Sequence, residues 1–215
     1  MPSLIAGSSN GRTSGFGPEY RGSSPCPAAM KQIKRCDWVK NADELMIKYH
    51  DQEWGVPLRK DNKIFEFLVL ESFQAGLSWR TILNKRKNFE KAFLKFDPVK
   101  VSKFSKKEIA KLLNDKGIIR NRAKIESAIN NAKRFLEVKK EFGTFSKYMW
   151  SFVNNKPINN KIKKISDYKS LSPEATNWAK DLKKRGFKFL GPTTIYAHMQ
   201  AVGMVNDHMV GCFRK

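Results

Sequence analysis

KKRGFKFLGPTTIYAHMQA, residues 183–201, reads as a helix, a short Gly-bounded turn and a second helix. Upstream, Ser172 before Pro173 opens a helix over PEATNWAKDLKKR that Gly186 ends. Downstream, the last helix runs from about Thr193 to Gly203. Such a turn aims backbone N–H groups and a helix N-terminus outward, which suits a phosphate. Lys183, Lys184, Arg185 and Lys188 add positive charge around it. A hairpin of this kind would grip a DNA backbone without reading bases.

Charge supports an anionic partner for the whole chain. Lys and Arg exceed Asp and Glu by 22 over 215 residues. Residues 1–29 carry only Arg12, Glu19 and Arg21, a net of +1, so the remaining +21 belongs to residues 30–215. An excess of this size points to nucleic acid first and an anionic membrane surface second. A Lys-rich solvated surface with no fixed partner is the plain alternative. No apolar run is long enough to span a bilayer, and no basic, apolar amphipathic segment favours a membrane surface. With no secretory signal, a cytoplasmic setting with reduced thiols is expected, so Cys26, Cys36 and Cys212 read as ligands or bystanders rather than disulfides.

Residues 1–29 are rich in Gly, Ser and Pro and lack Lys and any apolar period, which predicts disorder. Lys-rich sequence begins at Met30, so the prefix also fits a non-native extension. From there the signals are helical. DNKIFEFLVLESFQAG (61–76) opens on a capping Asp61 and stops at Gly76. SKKE (105–108) is a capping box. Ile125, Ala128, Ile129, Ala132 and Leu136 continue the helical spacing, followed by FSKYMWSFV (145–153). No strand-length alternation and no repeat appears. The prediction is an all-α fold of seven or eight helices.

Two pairs of metal-binding residue types lie at opposite ends of this region. Cys36 and His50 are at one end, His208 and Cys212 at the other. On a helix or tight turn, His208 and Cys212 share a face. Together the four make a Cys2His2 set, the closed tetrahedral set of structural zinc. The other reading is two buried small thiols and two hydrogen-bonded imidazoles. His198, in mid-helix, reads as a surface or groove residue.

LESFQAGLSW (70–79) carries the strongest chemical signal. Glu71 lies beside the apolar side of its helix, where an unpaired carboxylate is costly. It either pairs with a lysine at the surface or has a ligand. QAGLSW then breaks and restarts the helix, presenting Leu77 as a wedge and Trp79 as a flat wall. Trp38, Tyr49 and Trp54 cluster nearby in sequence. Aromatic walls with one carboxylate suit a flat, cationic, hydrogen-bonding base.

CDWV (36–39), YHDQEWGVP (49–57), LESFQAGLSWRTIL (70–83), FDPVKV (96–101), GIIRNRAKI (117–125), WSFVN (150–154), KRGFKFLGPTTIYAHMQAVGMVNDH (184–208) and GC (211–212) together resemble bacterial 3-methyladenine DNA glycosylase I, over residues 34–212. The resemblance implies a helix-hairpin-helix DNA glycosylase fold. It implies one structural Zn2+ held by Cys36, His50, His208 and Cys212, joining the N- and C-terminal segments. It implies excision of 3-methyladenine, and more weakly 3-methylguanine, from alkylated double-stranded DNA in base excision repair in a bacterial cytoplasm; nothing in the sequence suggests an obligate dimer, so a monomer is expected. Glu71 then matches the carboxylate that hydrogen-bonds the base, Trp79 the ring that stacks on it and Tyr49 a further wall, with Trp38 and Trp54 beside them. Gly186, Lys188, Gly191, Thr193 and Thr194 in the hairpin, 186–194, would meet DNA, with Leu77 or Gln74 as wedge. Met46 stands where some members have tyrosine, a softer wall. Asn206 falls at the superfamily's usual catalytic Asp, leaving the adjacent Asp207 as the candidate to act on water. Pro192 or Thr193 replaces the Schiff-base lysine of the bifunctional branch, so no lyase activity is expected. A non-catalytic, zinc-containing DNA-binding module is the alternative.

Overall fold

The computed structural model describes residues 33–215. The reading of residues 1–29 and the state of Cys26 lie outside that range. Within it run nine α-helices: α1 (Glu44–Gln52), α2 (Asp61–Gln74), α3 (Trp79–Ala92), α4 (Pro98–Val101), α5 (Lys106–Asn114), α6 (Arg122–Phe142), α7 (Phe145–Ser151), α8 (Pro173–Lys184) and α9 (Pro192–Ala201). The sequence predicts seven or eight. The four-residue α4, begun by Asp97 and Pro98, is too short to leave a periodic signal.

α2 is the centre of the fold. Every residue from Ile64 to Phe73 is buried, so the helix needs cover on all sides. α3, α6, α7 and α9 supply it. Phe65 meets Phe135 of α6 at 5.2 Å between ring centroids, and Phe135 stacks on Phe145 of α7 at 4.1 Å. Asp61 does not cap α2, whose N-cap is Lys60. Its carboxylate accepts from the Phe145 and Ser146 N–H groups instead, at 3.3 and 3.1 Å, satisfying the start of α7. At the other end of α2, the buried Lys124 ammonium donates to the carbonyls of Phe73 (2.8 Å) and Ala75 (2.6 Å), a cation where the helix dipole is negative.

The all-α expectation needs one correction. β1 (Ile158–Asn159) pairs in parallel with β2 (Val205–Asn206), and Ile162 bridges Met209 further along. Two residues per strand are too few for alternation to show in sequence. The ladder holds the C-terminal segment beside residues 158–162, and Phe213 N–H donates to Lys34 O at 2.9 Å, which joins it to the N-terminal segment. The N-terminal segment also crosses the end of α9: Gly55 N–H donates to Gln200 O and Leu58 N–H to Val202 O, each at 3.0 Å. Gly203 makes this crossing possible, since its φ is +70° and a Cβ there would lie 2.4 Å from the Val56 carbonyl carbon.

α8 and α9 form the predicted hairpin. Gly186 (φ +83°) ends α8, with its N–H on Lys183 O and the Phe187 N–H on Leu182 O, both at 3.0 Å. α6 braces the turn. Asn131 accepts from Lys188 N–H at 2.8 Å and donates to Lys188 O at 2.9 Å, while Asn130 donates to Gly186 O at 2.8 Å. Phe187 and Leu190 are buried, leaving Lys188 and Phe189 outward. Arg185 is not a free charge at the turn. It pairs with Asp181 at 2.7 Å and Glu141 at 2.6 Å, while Lys183, Lys184 and Lys188 are exposed and have no ion-pair partner among the described residues. His198, expected at the surface or in a groove, is fully buried against Trp178 (5.6 Å between centroids), and neither ring nitrogen has a partner among the described residues. A helix through the core carries His198 inward, which a single histidine in a sequence does not announce.

Candidate functional site

α1, α2, α3, α9 and the turn Ile165–Asp167 with its next two residues enclose a cleft of about 380 Å³. Trp38, Tyr49, Trp54 and Trp79 supply aromatic surface, and Met46 lies among them. Ser78 caps α3 by accepting from the Thr81 N–H at 3.1 Å, which fixes Trp79 at the helix start. Trp79 lies 5.4 Å from Tyr49 and 6.4 Å from Phe67 between centroids, the latter pair stacked.

Glu71 enters this cleft from the last turns of α2 and is 4 % exposed. Among the described residues no donor hydrogen-bonds its carboxylate, and the salt-bridge alternative does not occur. Burial alone raises its pKa to about 8. Beside it, burial and then the Glu71 charge push the Tyr49 hydroxyl well above its ordinary value. Trp79 Nε1 faces the Tyr49 hydroxyl and the Tyr168 hydroxyl faces the Cys36 thiol, with no closer hydrogen-bond partner among the described residues. A buried carboxyl left unpaired beside an aromatic slot is arranged for something that enters it.

A smaller cleft of about 180 Å³ shares Glu71, Gln74 and Ala197 with the first and extends to Gly76, Leu77, Thr193 and Thr194. Leu77 is 40 % exposed at its rim. Thr193 and Thr194 begin α9, whose N-cap is Gly191 with no side-chain cap, so the first N–H groups of the helix remain open. The hairpin residues and the carboxylate pocket are therefore one continuous surface.

Asp207 is elsewhere. It is 1 % exposed, is not on the cleft wall, and accepts from Asn160 (2.6 Å), Tyr196 (2.8 Å) and Gln200 (2.8 Å). Its lone pairs are committed, which removes it as a group acting directly on water. Asn206 accepts from the His208 N–H at 3.1 Å in a local turn. Pro192 and Thr193 at the start of α9 offer no amine.

Cys36, His50, His208 and Cys212 converge behind the cleft, all buried, with ligand atoms within 4.8 Å of one another. Cys36 Sγ is 3.5 Å from His208 Nδ1, and Cys212 Sγ is 3.6 Å from both His50 Nε2 and His208 Nδ1. The 208–212 segment is a turn closed by Cys212 N–H on Met209 O (2.9 Å), not a helix. Each imidazole is oriented from outside the cluster. Asp51, held by Arg35, lies 2.7 Å from His50 Nδ1, and the Trp54 carbonyl lies 3.0 Å from His208 Nε2. With those protons outside, the inner nitrogens carry lone pairs toward the thiols. Burial lowers the His208 pKa to about 4, keeping the ring neutral, and raises the Cys36 thiol to about 11. Ligand bonds of about 2.3 Å to sulfur and about 2.0 Å to nitrogen give tetrahedral S···N edges of about 3.5 Å, so the donor set fits a tetrahedral thiophilic ion. Trp38 and Trp54 touch both sites: their rings lie 5.3 and 6.1 Å from His50, and Trp54 lies 4.6 Å from His208.

Tyr168, Lys169, Ile165, Ala197 and Gln200 also line the cleft, and sequence reasoning passed over them. Ala197 and Gln200 were legible in principle, since they follow Thr193 at helical spacing. Tyr168 comes from an irregular segment with no periodic signal.

A buried carboxyl in an aromatic slot, flanked by a basic helical hairpin, defines a helical protein with a pocket for a flat, hydrogen-bonding group beside a surface suited to a polyanion. The chain belongs to the Methyladenine glycosylase family, whose sequence model matches residues 38–215. It is 46 % identical over 180 residues to DNA-3-methyladenine glycosylase 1 of Escherichia coli, covering 84 % of this chain and 96 % of that one. A crystal structure of 3-methyladenine DNA glycosylase I superposes with a TM-score of 0.81 at 44 % identity, over 84 % of this chain and 98 % of that one. A variant of such an enzyme in complex with 3-methyladenine also gives 0.81, at 38 % identity over 84 % and 97 %.

Proposed function

We propose that this protein is a DNA glycosylase that hydrolyses the N-glycosidic bond of 3-methyladenine in alkylated double-stranded DNA, as the first step of base excision repair. The observation that carries the proposal is Glu71: a buried carboxyl with no protein partner, facing an aromatic slot. Adenine methylated at N3 in DNA is flat, cationic and bears an exocyclic amine. On entry it supplies the charge and the N–H donor that Glu71 lacks, while Trp79 and Tyr49 present ring faces to the cation. Normal adenine offers the amine without the charge and keeps a stronger bond to its sugar.

The base must leave the duplex, at a cost of a few kcal/mol. The open N–H groups at the start of α9, with Lys188, hold phosphates, and Leu77 or Gln74 fills the gap left in the stack. The positive charge makes the base a ready leaving group, so binding and alignment carry more of the rate than acid catalysis. In this reading Cys36, His50, His208 and Cys212 hold one structural Zn2+. Four protein ligands leave no open coordination position, and the ion's contribution is to fix the chain ends and the Trp38–Trp54 wall.

The test is to incubate the full chain with dimethyl-sulfate-treated DNA and chromatograph the released bases, with metal analysis of the same preparation. Free 3-methyladenine and one zinc per chain are expected. Binding of the DNA with no base released would overturn the enzymatic reading, and metal-free protein of full stability would overturn the zinc assignment.

A further inference from the structure

Asp207 is buried outside the cleft with three donors converging on it, and one of them, Gln200, does line the cleft. A carboxylate can only accept from these donors, so the Gln200 amide is fixed with its nitrogen toward Asp207. Its carbonyl oxygen is left free, and among the described residues it has no hydrogen-bond partner.

Gln200 has a defined place along α9. Thr193, Ala197 and Gln200 follow one face at spacings of four and three residues, and all three line the joined clefts. Thr193 is at the phosphate-binding end and Glu71 faces the base. A sugar connecting the two passes the small side chain of Ala197, and Gln200 follows about 4.5 Å further along the helix axis. The only neutral amide on this face of α9 thus stands beside the path of the sugar, with an acceptor oxygen held in place.

We infer that Gln200 orients the attacking water and that Asp207 is the positioning residue that sets the Gln200 amide. This rests on the glycosylase reading. The water oxygen bonds to C1′ of the sugar as the C1′–N9 bond breaks. The bonding pair leaves on the base and neutralises its charge, and the proton of the water passes to solvent. An amide carbonyl is too weak a base to take that proton, and a cationic leaving group does not require it to. Alignment is the contribution.

The experiment compares wild type, Gln200→Met and Gln200→Ala as full, metal-loaded chains on DNA containing 3-methyladenine. It reads the single-turnover rate, the affinities for tetrahydrofuran-containing DNA and for free 3-methyladenine, and the partition of the sugar product between water and added methanol. The variants should release base about 100-fold more slowly, with both affinities within about twofold of wild type and a larger share of methyl glycoside. Asp207→Asn should shift the same partition at unchanged zinc content, which loss of packing alone would not do. Unchanged rates in the Gln200 variants overturn the inference alone. So does weaker 3-methyladenine binding with an unchanged saturated rate, which would make Gln200 a base contact. If wild type releases no base, the glycosylase reading falls and this inference with it.

Discussion

On one side of Trp38 and Trp54 lies the cleft; on the other lies the knot that joins the chain ends. The two regions treat buried polar groups in opposite ways. In the knot, Asp207 has three donors, His50 has Asp51 and Arg35 behind it, and Cys36 accepts the Met209 N–H at 3.3 Å. In the cleft, the Glu71 carboxyl has no hydrogen-bond partner among the described residues, and burial alone raises its pKa. Glu71 is 4 % exposed and Asp207 1 %, so the two carboxyl groups are buried to a similar degree and differ in their partners. Groups whose partners are in the chain hold the structure, and groups whose partners are missing await a ligand.

The largest effect that would test this contrast is removal of the metal. A chelator, or Cys212→Ser, should weaken the knot by several kcal/mol and lower the thermal midpoint by roughly 10 °C or more. A melting curve that does not respond to chelator would place the knot's stability in its hydrogen bonds alone.

Glu71→Gln should act in the reverse sense and stabilise the free protein at high pH. An unfolded glutamate ionises near 4.5, while Glu71 in the fold keeps its proton to about 8. Between these values the folded state binds more protons, so stability falls as pH rises through the window and levels off above it. The variant should gain about 2–4 kcal/mol at pH 9 and little at pH 4 in urea unfolding. Equal stability at both pH values would mean that Glu71 has a partner.

Asp207→Ala leaves three donors facing a gap and should cost about 2 kcal/mol by the same measurement. His198 limits the rule, because it has no partner among the described residues yet lines neither cleft. Replacing it by Leu should change stability by about 1 kcal/mol or less at pH 7. Burial depresses its pKa to about 3, so below about 6.5 the unfolded state binds the extra proton and stability falls as pH drops. His198→Leu should blunt that loss between pH 6.5 and 4.

Sequence reasoning reached both regions by residue type. Two Cys and two His at the ends of a chain, and a Glu on an apolar helix face, are chemically conspicuous wherever they fold. What it missed depends on tertiary placement. Asp61 sits at a helix start, as a cap should, but caps a helix 84 residues away. Gln200 and Tyr168 are ordinary polar residues until α9 and the 165–169 segment bring them to the cleft. Arg185 belongs by sequence to the basic hairpin, yet two nearby carboxylates claim it. Asp207 is a candidate in sequence only because it adjoins Asn206, and the fold commits it to Asn160, Tyr196 and Gln200.

The central claim is that the partner missing from Glu71 is the methylated base. Single-turnover release of 3-methyladenine by wild type and Glu71→Gln, each saturated with the same methylated DNA, tests it most directly. The account predicts release by wild type and a loss of about 100-fold or more in the variant, with DNA affinity and zinc content retained. Equal rates from the two proteins would contradict it.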